Sequence, residues 1–560
     1  LACLSKVTED ISVEVPDIAA AYKSRMKVAD LSSGKEVEIF TECQRNIEDA
    51  GLVFGNGFKT VSIELDQPTL DDTMPDNERL ARAVKAELGV LKAELDYSVL
   101  KDLPQTLRQA EFKLRVFVRI DEGNAEILKV LPQSDPSPAC GLAIDIGTTS
   151  VTGLLADLAD GRILAKASSG NGQIRYGADV IHRIVEQEKP GGIRTLQDAV
   201  IKETLIPLIN IMEKQAGVSA ECVLSLVIAG NSTMNHLLLG IDAGPLRREP
   251  YIPAFFSCSP VPAAQLGLPV NSAALIHVMP NIGSYVGGDI TAGALASMIW
   301  DKEEINLFID LGTNGELVLG NRDFLMSCAC SAGPAFEGGD ISCGMRATDG
   351  AAEACTIDRE TQEPKLSIIG GGKLVGLCGS GLIDTIAELF RCGIINSKGK
   401  FASEGGRVRF NEHGMGRYVL GESESGREIS LSETDIDNFI RAKGSIFSAI
   451  MTMLQSLDMD ISVIDSVYVA GGIGSGINMD NAVRIGMLPD IDRSRFHYIG
   501  NSSLAGEYAA LTSTQARDKI TELAQSMTYL ELSAIPGYMD SFVAACFLPH
   551  TDASLFPSVV

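Results

Sequence analysis

At 560 residues the chain is too long for one ordinary domain, and roughly two to four domains are expected. Its net charge of −26 argues against general binding to nucleic acid or to a membrane surface, and no run of about 18 uncharged apolar residues offers a membrane span. The 45% apolar content is that of a globular protein, and 12 Cys without paired spacing favour free thiols in a reducing compartment, the cytoplasm.

The first residue is Leu1, and Leu1–Pro16 reads as the middle of a domain rather than as a signal or transit peptide. Residues 11–15 alternate as a strand, and residues 17–50 are polar and mixed, so a linker is expected there. Clean alternation over 59–65 predicts a strand with one wet face. Leu80, Val84, Leu88 and Leu91 recur at helical spacing, with Asp76 as the expected N-cap. A second helix is expected over 97–110, then a hairpin of strands 114–120 and 125–131 turning at Gly123-Asn124. Residues 51–138 thus make a small α+β domain of βααββ order, closed by the Pro- and Ser-rich stretch 132–138.

From residue 139 onward the pattern becomes α/β. Strand 142–146 and its hairpin partner 151–157 come first, helix 195–215 precedes strand 223–229, and Pro280–Trp300 reads as a glycine-punctuated helix. Strands 305–310 and 315–319 repeat the opening hairpin. Helix 433–456, with Thr434 and Asp437 at weak capping-box spacing, leads to strand 465–470.

Three segments carry the chemistry: Ala143-Ile-Asp-Ile-Gly-Thr-Thr-Ser150, Phe308-Ile-Asp-Leu-Gly-Thr-Asn-Gly-Glu316 and Val467-Tyr-Val-Ala-Gly-Gly-Ile-Gly-Ser475. Each is an apolar run ending in a glycine turn, where backbone N–H groups can approach phosphate oxygens. A duplicated D-x-G-T is far more specific than one glycine loop and reads as two half-sites on one nucleoside triphosphate. Asp145 and Asp310 are the candidates for a Mg²⁺ shell, as catalytic carboxylates acting through a metal-bound water. Gly147, Thr148, Thr149, Gly312, Thr313 and Asn314 are the phosphate-binding candidates. Gly471, Gly472 and Gly474 would let an adenosine lie on backbone, and Gly379-Ser380 opens a helix whose N-terminus suits an anion. Glu316 reads as a solvated or turn residue. Cys328 and Cys330 read as buried thiols, His236 as a helix-packing histidine and Trp300 as core.

With these motifs in order, residues 140–560 resemble the superfamily of sugar kinases, heat-shock chaperone ATPases and actin. Met279-Pro-Asn-Ile-Gly-Ser-Tyr-Val-Gly-Gly-Asp289 and Ser503-Leu-Ala-Gly506 are similar to its two connecting motifs. The resemblance implies an α/β fold of two duplicated ribonuclease H-like lobes over 139–560, preceded by the small domain. It also points to Lys443 as a nucleotide contact, although a solvated surface lysine is the plainer reading.

A narrower family fits better. Gly230-Asn-Ser-Thr-Met-Asn-His236, Cys330-Ser-Ala-Gly-Pro-Ala-Phe-Glu-Gly338, Gly344-Met-Arg-Ala347 and Gly376-Leu-Cys-Gly-Ser-Gly-Leu-Ile-Asp384 resemble the reductive activators of corrinoid proteins. That resemblance implies an ATP- and Mg²⁺-dependent activator, which returns Co(II) corrinoid to Co(I) for methyl transfer with an electron from a low-potential donor. Neither nucleic acid nor a membrane is an expected partner, and a homodimer is left open. The family begins with a [2Fe-2S] ferredoxin-like domain. Leu1-Ala2-Cys3 before Val13-Glu-Val-Pro16 is similar to its end, so residues 1–16 are expected to be a remnant, with Cys3 the last cluster ligand and the cluster itself absent from this chain. The alternatives are an activator of a radical dehydratase or reductase, and a small-molecule kinase.

Overall fold

Two sheets built to one plan position everything else. They are seen in a computed structural model that describes residues 27–29, 31, 35–312, 314–402, 404–424, 426–472 and 476–559. The expectations for residues 1–16, including Cys3, and for Thr313 and Gly474 lie outside the described residues.

The small domain comes first. Strands β1 (Phe58–Glu64), β2 (Lys92–Leu95), β3 (Lys113–Asp121) and β4 (Asn124–Pro132) form a sheet in the order β1-β3-β4-β2. Helices α2 (Asp76–Leu88) and α3 (Tyr97–Gln109) bury Leu80, Val84, Leu103 and Leu107 in its core. The order is βαβαββ, because the four-residue β2 lies between the helices where none was expected. Asp76 is the first residue of α2 rather than its cap. Pro75 stands at the cap without a side-chain bond, and the Asp76 carboxylate pairs with Arg108 at 2.7 Å.

Helix α1 (Lys35–Asp49) corrects the linker expected over 17–50. Its Phe40, Cys43 and Ile47 fall on one helical face and are buried. They pack on helix α8 (Ser502–Thr512), where the Phe40 and Tyr508 rings meet edge to face at 5.8 Å and Tyr508 donates to Gln44 Oε1 at 3.0 Å. The apolar stripe is only three residues wide, and the surface that receives it lies more than 450 residues downstream.

In the first lobe, strands β5 (Cys140–Ile146), β6 (Ser150–Asp157), β7 (Ile163–Gly170), β8 (Val223–Gly230) and β9 (Leu275–Val278) run in the order β7-β6-β5-β8-β9. In the second, β10 (Ile305–Leu311), β11 (Gly315–Gly320), β12 (Leu325–Cys330), β13 (Ile464–Ala470) and β14 (Phe496–Tyr498) run in the order β12-β11-β10-β13-β14. In each lobe the first three strands are antiparallel and the fourth joins in parallel. This is the duplicated α/β architecture expected. β5 and β10 are central and covered on both faces, so they read as nearly unbroken apolar runs. In each, the Asp stands second from the end.

The expected helix 195–215 is two helices, Gly192–Val200 and Ile206–Ala216, joined by a π turn at Ile201–Leu205. The expected helix 280–300 shortens to α5 (Gly288–Ser297), because 280–287 is a loop whose Gly287 presses on the Asn231 backbone. Helix α6 (Gly379–Arg391) starts where the sequence places it. Helix α7 (Glu433–Ser456) is capped by the Ser432–Asp435 box, not by Thr434 and Asp437. Ser432 ends a strand, and its extended backbone suits a cap better than Thr434 inside the first turn.

Helices α5 and α8 cross beneath the cleft. A β-carbon on Gly506 would stand 2.1 Å from the Ala292 carbonyl oxygen, so only glycine allows this approach. Gly506→Ala should therefore force the helices apart and cost roughly 1–3 kcal/mol, read as a lower urea midpoint. An unchanged midpoint would show that the contact is not tight in solution.

Candidate functional site

The ends of β5 and β10 open into one cavity of about 490 Å³ between the lobes. Asp145 lies opposite Thr152 and Ala229 in its sheet, and Asp310 lies opposite Glu316 and Ala470 in the other. The internal repeat thus places both D-x-G-T turns on one space. Gly147, Thr148 and Thr149 line it from the first lobe, and Gly312 and Asn314 from the second. Gly379 and Ser380, at the N-terminus of α6, also face it, as do Gly471 and Gly472 after β13. The first-turn N–H groups of α6 are a ready anion site.

Lys443 is not there. It lies on α7, fully buried, and its ammonium donates to the carbonyl oxygens of Phe547 and Pro549, pinning the C-terminal segment. It is neither a nucleotide contact nor a surface lysine, since only tertiary packing brings residues 547–549 over that helix. Burial lowers its pKa to about 7.

Glu316 is buried in the cavity wall rather than solvated. Asp289, within the first connecting motif and at the start of α5, also lines the cavity. Four carboxylates therefore converge: Asp145, Asp289, Asp310 and Glu316. Burial raises all four above their ordinary values. The Asp145 charge adds to this at Asp310, which reaches about 7. Asp145 and Asp310 raise Asp289, and Asp289 and Asp310 raise Glu316. Asn501 and Ser503 oppose the rise at Asp145, Asn501 by donating to its Oδ2 at 2.9 Å. Both residues sit at the start of α8, and Asn501 also caps that helix.

Arg183 and Tyr498 are not singled out by the sequence, and Asn231 stands there only within the Gly230–His236 string. Arg183, on α4 (Val180–Gln187), is fully buried and donates to the Thr148 carbonyl, to Gly177 O at 2.9 Å and to Gln173 Oε1 at 3.2 Å. It fixes the first phosphate turn from behind. Asn231 lines the cavity and donates to Thr148 Oγ1 at 3.1 Å. Tyr498 brings an aromatic ring beside Gly471, whose carbonyl accepts from its hydroxyl at 3.3 Å. None follows a periodic pattern; each gains its place from a strand or helix distant in sequence.

The remaining candidates are structural. Cys328 and Cys330 are buried on β12, with both thiols raised by burial, Cys330 to about 12. His236 is buried against Phe255, with Nδ1 donating to Ser232 O and Nε2 accepting from Ala254 N. Trp300 is buried and donates to Leu295 O.

Carboxyls raised in the folded state hold protons that the unfolded chain has released, so stability falls as pH rises through the folded value. The ligand-free protein should therefore lose stability from about pH 4 to about pH 8, a window that passes Asp310 at about 7 and reaches Asp289 at about 8. Asp310→Asn removes one such group and relieves two others, so urea midpoints should fall less steeply with pH in the variant. Parallel slopes would refute the like-charge cluster.

Three family models match in succession: the RACo linker region at residues 48–135, the RACo middle region at 140–302, and the C-terminal domain of RACo, the ASKHA domain, at 304–560. The corrinoid activation enzyme RamQ of Eubacterium limosum is 32% identical over 462 residues, which are 80% of this chain and 76% of the relative. The [Co(II) methylated amine-specific corrinoid protein] reductase of Methanosarcina barkeri is 26% identical over 273 residues, 45% of this chain and 47% of the relative. A solved structure, the reductive activator for corrinoid, iron-sulfur protein, superposes with a TM-score of 0.81 at 45% identity, covering 90% of this chain and 81% of that one. Fold, cleft and these likenesses agree: the chain belongs to the family of reductive activators of corrinoid proteins.

Proposed function

We propose that this chain binds and hydrolyses Mg-ATP in the interlobe cleft and uses the resulting lobe movement to return a Co(II) corrinoid protein to Co(I). The observation that carries the reading is the pair of half-sites, Asp145 and Asp310, meeting in one cavity in a chain of this family.

The acidic cluster fits a divalent cation, since four buried carboxylates with raised pKa values are held short of the charge they would carry. Among the described residues no three acidic, His or Cys side chains close on one metal position. Asp145 and Asp310 would therefore hold a hydrated Mg²⁺, which offsets phosphate charge and keeps several waters. The chain's own groups do the rest. Thr148, Thr149, Asn314 and the glycine amides donate to phosphate oxygens, and the α6 N-terminus receives an anion. Gly471 and Gly472 leave room for adenosine beside Tyr498. Glu316 is placed to orient an attacking water.

The nucleotide has a physical task. Moving one electron uphill costs about 2.3 kcal/mol per ~100 mV, and a ferredoxin-type donor near about −400 mV falls short of a more negative cobalt couple. ATP binding offsets that gap only if the partner binds the two lobe arrangements with different affinity. One electron passes from the donor to Co(II), giving Co(I).

The test is visible absorbance of a Co(II) corrinoid protein mixed with the activator and a low-potential donor, with and without ATP. Co(I) should form faster with ATP. Asp310→Asn should lower ATP turnover by about two to three orders of magnitude while far-UV circular dichroism stays unchanged. Turnover equal to wild type would remove Asp310 from the metal shell.

A kinase reading gains nothing from the cleft. Where a small-molecule kinase would keep a base, Asn231 stands with its amide on Thr148. Labelled ATP incubated with sugars or acetate should give no phosphorylated product, and transfer to any of them would reverse the ranking.

A further inference from the structure

One hydrogen bond crosses the cleft at the first phosphate turn. Thr149 Oγ1, in the turn between β5 and β6, donates to Glu337 Oε2 at 2.8 Å. Glu337 belongs to the second lobe, where it ends the short 3₁₀ turn Pro334–Glu337 after β12. Both residues line the cavity. We propose that Glu337 is a latch between the lobes that nucleotide displaces: its carboxylate holds the Thr149 hydroxyl in the ligand-free protein, and a phosphate oxygen takes that hydroxyl over. The inference rests on the nucleotide reading of the cleft and adds the residue that couples occupancy to lobe contact.

The chemistry forces a choice. A hydroxyl has one proton to donate, and the phosphate for which Thr149 is placed would compete for it. A carboxylate and a phosphate are both anionic, and two like charges on one donor repel strongly where solvent is scarce. One must leave, and the structure seats the Glu337 carboxylate on Thr149. Asp145, Asp289, Asp310 and Glu316 stand at strand and helix ends and suit a cation. Glu337 differs, because it stands on a turn bounded by Gly333 and Gly338, at φ 70° and 80°, a backbone region that glycine occupies without strain. Gly338 packs on the Met345 backbone, which sets Glu337 beside Gly344-Met-Arg-Ala347. There Arg346 lines the same cavity and is its one cationic side chain among the described residues. Loss of the Thr149 bond would thus remove a tie between the lobes beside the wall that carries Arg346.

The experiment is Mg-ATP titration by calorimetry on wild type, Glu337→Ala and Glu337→Gln, with amide hydrogen exchange over residues 147–150. Glu337→Ala should bind Mg-ATP roughly five- to tenfold more tightly, the size of one net hydrogen bond removed from the ligand-free state. Without nucleotide its 147–150 amides should exchange faster than wild type; with saturating nucleotide the two should match. Glu337→Gln keeps an acceptor oxygen but no charge, and its affinity should lie between the others. Should Glu337→Ala fail to fold, Glu337→Gln decides alone, by binding more tightly than wild type or not. Unchanged or weaker affinity overturns the latch. Lost turnover at unchanged affinity also overturns it, by assigning Glu337 to the chemistry. If wild type binds Mg-ATP and the variants match it, only the latch fails; if wild type does not bind, the nucleotide reading fails with it.

Discussion

Asp145 and Asp310 occupy the same place in two copies of one sheet, and their repulsion across a shared cavity is the constraint from which the rest follows. A carboxylate at the end of a central strand is costly, because burial disfavours its charge and its counterpart disfavours it further. Asp289 and Glu316 add to that load. The fold keeps this arrangement by surrounding it with donors, Asn501 and Ser503 on Asp145 and Asn314 near Glu316. What it lacks is positive charge, since Arg346 is the one cation lining the cavity among the described residues. Such a site would suit a cation accompanied by an anion, the form in which the proposed nucleoside triphosphate arrives.

The crossing of α5 and α8 makes the cleft possible. Both helices are built from Gly, Ala, Ser and Thr with few large side chains, so their backbones come close and the strands they follow can converge. Helix α8 is buried along its whole length, touching the first lobe through β5 and α5 and carrying Asn501 and Ser503 to Asp145. It also receives α1 through Phe40 and Cys43. One helix therefore joins the metal-shell candidate, the interlobe crossing and the segment leading in from the N-terminal side. A change of cleft occupancy has a short mechanical route to that segment.

The corrections share a cause. Lys443 stands on the helix before β13, yet its ammonium serves the carbonyls of Phe547 and Pro549. Helix α1 was read as linker because its three apolar residues are sparse among polar ones, and α8 supplies the other half of its stability. Glu316 was read as solvated because the residue after a glycine turn usually is, yet the antiparallel register with Asp310 carries it into the wall. Each error concerns what lies opposite a residue, which local pattern does not record.

The sequence by itself determined the duplicated architecture, the strands that end in glycine turns, and the two aspartates with Thr148 and Thr149 that face the cavity. Those features depend on near neighbours: alternation, turn chemistry and a short spacing from Asp to Gly to Thr. The tertiary structure alone decided that Asp289 and Glu316 join Asp145 and Asp310, that Arg183 braces the first phosphate turn from behind, and that Glu337 reaches Thr149 across the lobes. Such contacts join residues far apart in the chain, and electrostatics depends on distance in space. A carboxylate's chemistry is set by what packing brings within a few ångströms of it, which no run of adjacent residues encodes.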